Sequence, residues 1–126
     1  MDVRNADVEP IVEHGGTCLS WFLVGKEEMR AQTSGSYLEF VSEFELQPGA
    51  ELEPHRHDTD EFYYLLRGAA RMTIEGEERD IDVGDLVHIP RDAVHSIKPV
   101  DPDEGFRALA FAVSFMPEDA VGDVPA

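Results

Sequence analysis

Three side chains able to bind a metal, His55, His57 and Glu61, stand at odd-numbered positions in the stretch Gly49 to Gly68, GAELEPHRHDTDEFYYLLRG. On a β-strand, side chains two apart share a face, so His55 and His57 point the same way, and Glu61 keeps that parity if the chain bends back between them. Two imidazoles and one carboxylate on one face hold a divalent transition metal. The set anchors the ion and leaves positions free for small molecules, which is why it serves redox iron. A bare His-x-His pair is a weak signal. Its setting adds weight: a turn at Pro48-Gly49, a Pro54 that stiffens the approach, and an apolar run, FYYLL, that reads as a buried strand ending at Gly68. The plain alternative is an acidic, solvated loop that happens to carry two histidines.

The elements around this stretch must position it. Tyr37 to Leu46 alternates, with Leu38, Phe40, Phe44 and Leu46 on one side and Glu39, Glu43 and Glu45 on the other, the pattern of a half-buried strand leading into the site. Upstream, residues 1–16 are polar, carry Pro10 and end in Gly15-Gly16, which reads as an arm. Thr17 to Val24 (TCLSWFLV) follows as a β-rich segment, and Gly25 to Ser36 as a polar connection with a turn-like Ser34-Gly35-Ser36. Downstream, AARMTIE and RDIDV flank a Glu75 to Glu78 turn, a hairpin signal. GDLVHIP, AVHSIKP and Gly105 to Phe115 (GFRALAFAVSF) are further short segments bounded by Gly, Pro or Asp. With no convincing helical period, this spacing predicts a single all-β sandwich or barrel over residues 17–115, followed by a loose tail from Met116.

Composition bounds the partners. The 126-residue chain carries 27 acidic and 10 basic residues, a net charge of −17, and its lysines are Lys26 and Lys98 alone. Phosphate binding runs on clustered Lys and Arg, so nucleic acid and anionic membrane are excluded as partners. Dispersed acid with little lysine suits a protein kept soluble at high salt, a composition that ordinary acidic bacterial proteins also reach. At this length the chain buries enough surface to stand without disulfides or structural metal, so a bound metal is functional rather than a staple. Cys18 has no partner for an internal disulfide and reads as a small core residue. No basic-then-apolar leader and no apolar run near 18 residues is present, so the expected location is the cytoplasm.

A second motif, Gly84 to Pro99 (GDLVHIPRDAVHSIKP), supplies His95 from a distant strand, as a barrel needs if it is to pin a metal between two sheets. The two stretches together resemble the cupin motifs. The first, G-x(5)-H-x-H-x(3)-E-x(6)-G, is matched throughout by Gly49, His55, His57, Glu61 and Gly68. The second, G-x(5)-P-x-G-x(2)-H-x(3)-N, is matched by Gly84, Pro90 and His95, but Asp92 stands where the family has Gly and Pro99 where it has Asn. Neither departure touches a ligand, and Asp tolerates the left-handed turn that Gly provides.

The resemblance implies a double-stranded β-helix (jelly-roll) barrel with His55, His57, Glu61 and His95 around one divalent transition metal. Iron(II) is favoured, with manganese, nickel, copper and zinc open. It also implies a small-molecule substrate and, from the habit of cupins of this size, a homodimer. Tyr63 shares the parity of Glu61, so it lines the same cavity, either as an acid or base or as a barrel-filling aromatic with its hydroxyl bonded to a neighbour. Trp21, Phe40, Phe44 and Phe111 are candidate cavity walls, His88 an outer-face or metal-supporting histidine, His14 an exposed residue of the arm, and Arg56 a surface residue.

Three functions fit. The leading expectation is an iron(II) dioxygenase acting on a small chelating substrate. The second is a non-oxidative lyase, isomerase or decarboxylase, similar to the small cupins that cleave dimethylsulfoniopropionate, although no tyrosine follows Tyr64 to serve as the second tyrosine those enzymes use. The third is a binding cupin without turnover.

Overall fold

The structure is a computed structural model that describes residues 1–33 and 37–114. The expected Ser34-Gly35-Ser36 turn and the tail from Met116 lie outside the described residues, as does Phe115 at the end of the last expected strand.

Among the described residues, ten strands and one short α-helix follow one another: β1 (Ile11–Glu13), β2 (Cys18–Val24), α1 (Lys26–Gln32), β3 (Leu38–Leu46), β4 (Leu52–His55), β5 (Asp60–Arg67), β6 (Ala69–Ile74), β7 (Glu77–Asp82), β8 (Leu86–Ile89), β9 (His95–Pro99) and β10 (Phe106–Val113). They form two antiparallel sheets, one of six strands in the order β1-β2-β3-β10-β5-β8 and one of four in the order β4-β9-β6-β7. This is the all-β barrel expected from the spacing of the strand signals, in the jelly-roll form that the family resemblance implies. Period-2 alternation decides which way each strand faces: β10 buries Phe106, Ala108, Ala110 and Ala112 while the residues between them are half-buried on the other face.

Leu46, Leu65, Ile89, Ile97 and Phe106, each at most 1% exposed, fill the space between the sheets. Burying a side chain of this size stabilises the fold by roughly 1.5–3 kcal/mol. The apolar run after Glu61 is buried on one face only. Tyr63 and Leu65 point inward and Tyr64 and Leu66 are exposed, because β5 lies in a sheet whose outer face meets solvent.

The β6–β7 hairpin turns on Glu75-Gly76, both at positive φ (48° and 82°), with Ile74 opposite Glu77. It is a two-residue loop, tighter than the four residues read from the sequence, because the paired left-handed turn matches the twist of the strands.

Two elements were absent from the sequence reading. The arm contains β1, which pairs with β2, and it is tied down further: Arg4 donates to the Leu23 carbonyl at 2.8 Å, to Glu28 at 2.8 Å and to Gln32 at 2.6 Å. The connection after β2 contains α1, whose residues KEEMRAQ are good helix formers and which buries Met29.

Candidate metal centre

His55 closes β4 and His95 opens β9, and the two are paired across the four-stranded sheet with ring centroids 4.2 Å apart. Glu61 sits near the start of β5 in the other sheet. His57 lies beyond the end of β4, so strand parity does not place it. Its carbonyl accepts a hydrogen bond from the Asp92 amide at 2.7 Å, which fixes the loop. The ligand atoms of His55, His57 and His95 all lie within 4.8 Å of one another. Glu61 Oε1 stands 3.6 Å from His95 Nε2 and completes a set that spans both sheets.

The residues fit a divalent transition metal. His55 Nδ1 lies 2.6 Å from the Glu53 carbonyl and His95 Nδ1 2.9 Å from the Ala93 carbonyl. A carbonyl can only accept, so each Nδ1 carries the proton and each Nε2 offers its lone pair to the centre. Glu61 Oε1 and His95 Nε2 are buried and, among the described residues, have no hydrogen-bond partner. Two such orphaned acceptors facing each other are costly unless a cation lies between them.

The electrostatics agree. Burial, reinforced by the neighbouring His95, His57 and His14 rings, holds the His55 pKa below its ordinary value despite the opposing bond to Glu53, so the ring stays neutral and able to ligate. Burial pushes the Glu61 carboxyl up, but His95, His57 and the Tyr63 hydroxyl together outweigh it, and the carboxyl titrates below its ordinary value. Burial, then the Glu61 charge and hydrogen bond, raise Tyr63 well above the usual tyrosine range.

A cavity of about 340 Å³ opens over His55, His57 and Glu61. Tyr63 lines it, 3% exposed, with its ring 4.8 Å from that of Phe44. Phe40 and Phe44 form walls as expected, whereas Trp21 and Phe111 do not. The inward set on β2 is Cys18, Ser20 and Phe22, and Trp21 between them turns to the outer face. There its indole donates to the Val8 carbonyl at 3.1 Å and its ring lies under the Arg107 guanidinium at 3.9 Å. Phe111 stacks on Phe62 at 4.9 Å on the same outer face, and Phe62 in turn on His88, whose Nε2 lies 2.7 Å from Asp60 Oδ1. His88 therefore plays no part in the centre.

Sequence reasoning missed Phe22, Ser20, Ser42 and His14, all of which border the cavity. Parity along TCLSWFLV carried the signal for Ser20 and Phe22. His14 is exposed, but at the cavity mouth, with its ring 5.5 Å from that of His55. Nothing in the sequence signals that approach, which depends on the left-handed turn at His14 to Gly16.

A two-sheet jelly-roll with a histidine-rich candidate metal site between its sheets defines a β-barrel of the cupin type. The cupin domain family (Cupin_2) matches residues 42–110, more than half of the chain, and the chain belongs to it. It is 44% identical over 69 residues to the dimethylsulfoniopropionate lyase DddW of Ruegeria pomeroyi, covering 54% of this chain and 44% of the lyase. It is 36% identical over 66 residues to the oxalate decarboxylase OxdC of Bacillus subtilis, covering 48% of this chain and 17% of the decarboxylase. In each case the matched segment spans less than half of the relative. The crystal structure of a predicted oxalate decarboxylase from Thermotoga maritima superposes with a TM-score of 0.76 at 24% identity, covering 91% of this chain and all of that one, a likeness of fold.

Proposed function

We propose that the chain is a metal-dependent lyase that breaks a carbon–carbon or carbon–heteroatom bond of a small carboxylate without using oxygen. The observation that carries this reading is Tyr63, a buried tyrosine that borders the cavity together with Glu61, close enough that the carboxylate raises its pKa. An oxygenase relies on its metal for the chemistry, whereas bond cleavage without oxidation needs a side chain to move a proton. The similarity to a lyase and a decarboxylase supports the same class and moves the reading away from the iron dioxygenase that the sequence alone favoured.

His55, His57, Glu61 and His95 would hold the divalent metal. When bound, it supplies Lewis acidity toward the substrate carboxylate. Tyr63 moves the proton at its hydroxyl oxygen, which the nearby Glu61 carboxylate keeps protonated until a substrate takes it. Phe22, Phe40 and Phe44 line the cavity with apolar surface, and the open mouth near His14 admits the substrate.

The test is turnover under strict anaerobiosis by zinc- or manganese-loaded protein, with dimethylsulfoniopropionate and oxalate offered separately. Loss of at least one compound is expected, and Tyr63→Phe lowers kcat on the order of 10²-fold or more with metal content unchanged. Turnover that demands both dioxygen and a redox metal, and ignores Tyr63→Phe, returns the function to the dioxygenase.

A further inference from the structure

Ser42 occupies the inner face of β3 and is 4% exposed. Phe40 and Phe44 flank it on its own strand, Phe22 stands opposite on β2 and Ala110 opposite on β10. All four neighbours border the cavity and all are apolar, so the Ser42 hydroxyl is a lone polar group in that patch of wall. Ser20, the other buried serine of the cavity, has its hydroxyl engaged: it donates to Glu13 Oε2 at 2.6 Å and lies 3.6 Å from the Cys18 sulfur. The Ser42 hydroxyl makes no hydrogen bond to any described residue. Among the described residues the enclosed polar atoms without a partner are Glu61 Oε1 and His95 Nε2, so the Ser42 oxygen is open to the cavity and draws its partner from there.

We propose that Ser42 is a specificity-determining residue whose hydroxyl binds an uncharged polar group on the end of the substrate away from the metal centre. The ligand class is then a small carboxylate that also carries a hydroxyl. A charged group is disfavoured there, because phenylalanine and alanine offer no counter-charge and Lys26, the lysine of the cavity, is engaged with Glu39 at 3.2 Å. This inference rests on the reading above, in which a carboxylate is held at the metal.

The test uses manganese-loaded protein and isothermal titration with three pairs of acids: propionate and 3-hydroxypropionate, butyrate and 4-hydroxybutyrate, valerate and 5-hydroxyvalerate. In the unmodified protein at least one hydroxy acid binds about fivefold tighter than its parent, the worth of one net hydrogen bond. Ser42→Ala abolishes that preference and leaves the parent acid's affinity, the manganese content and the melting temperature in place. Parent acids that bind with no hydroxyl preference, or a preference that survives in Ser42→Ala and so belongs to the metal, overturn the inference and leave the proposed function standing. Failure of every acid to bind the loaded protein overturns the proposed function and this inference with it.

Discussion

The backbone amide of Asp92 donates to the carbonyl of His57 at 2.7 Å, so the loop before β9 holds in place the one histidine of the centre that no strand carries. Asp92 sits at φ 61°, the left-handed conformation for which the family's pattern uses glycine. A residue without a short polar side chain pays about 1–2 kcal/mol there. Asp92→Ala is therefore expected to destabilise the protein by roughly that amount and to weaken metal binding, while Asp92→Gly keeps both. Chemical denaturation and competition with a metal chelator read the two effects.

Metal occupancy is expected to be complete above about pH 6.5, the ordinary histidine value, and to decline below it, because each ligand ring must be neutral. The sign follows from His55. Its lowered pKa means that the folded protein binds fewer protons there than the unfolded chain, so its contribution is full above the ordinary value and is lost as pH falls through the lowered one. Metal analysis after equilibration from pH 8 to pH 5 checks this. His57 is exposed, so His57→Ala removes the metal while changing the stability of the metal-free protein by less than about 0.5 kcal/mol.

The motif glycines and Gly105 separate by what surrounds them. A Cβ on Gly68, at φ 76°, would stand 2.4 Å from the Gly105 carbonyl oxygen, and one on Gly105 would stand 2.2 Å from that of Leu46. Gly49 and Gly84 also have positive φ, but open space surrounds them. Gly68→Ala and Gly105→Ala are each expected to cost about 3 kcal/mol or more, combining overpacking with, at Gly68, left-handed strain. Gly49→Ala and Gly84→Ala carry the left-handed cost alone, about 1 kcal/mol. Urea unfolding midpoints at constant slope rank the four.

Salt is expected to stabilise the protein. With a net charge of −17, self-repulsion weakens as the Debye length shrinks from about 10 Å at 0.1 M to about 3 Å at 1 M. The melting temperature rises across that range. A flat or falling one discards the electrostatic argument.

Most strands were legible because alternation is a local signal: Phe44 and Leu46 turned inward and Glu43 and Glu45 outward as their positions in β3 dictate. The ligand histidines were legible because their chemistry restricts their spacing. Trp21 was misread because a tryptophan is buried almost anywhere. Here the burial, at 9% exposure, comes from the arm and Arg107 covering an outer face, and both are remote in sequence. The helix α1 was missed because seven residues with one buried side chain, Met29, leave no apolar period to detect. β1 was missed because three residues are too few to alternate, although Ile11 and Val12 are β-branched. Ser42 shares the inward parity of β3 but carried no signal, since a sequence does not reveal which inward positions face a core and which face an opening.

The inner face of β10 has a consequence for how this family member can change. At the middle of the six-stranded sheet, Ala108, Ala110 and Ala112 present only methyl groups to the interior, and Ala110 borders the cavity. The opening is thus partly a thinness in the sheet's central strand. One or two added carbons at Ala110 would shrink the chamber and tighten the packing together, making the protein sturdier as it becomes less able to admit a ligand. The small side chains of this strand thus set what can fit inside, at the expense of the packing that a filled interior would give.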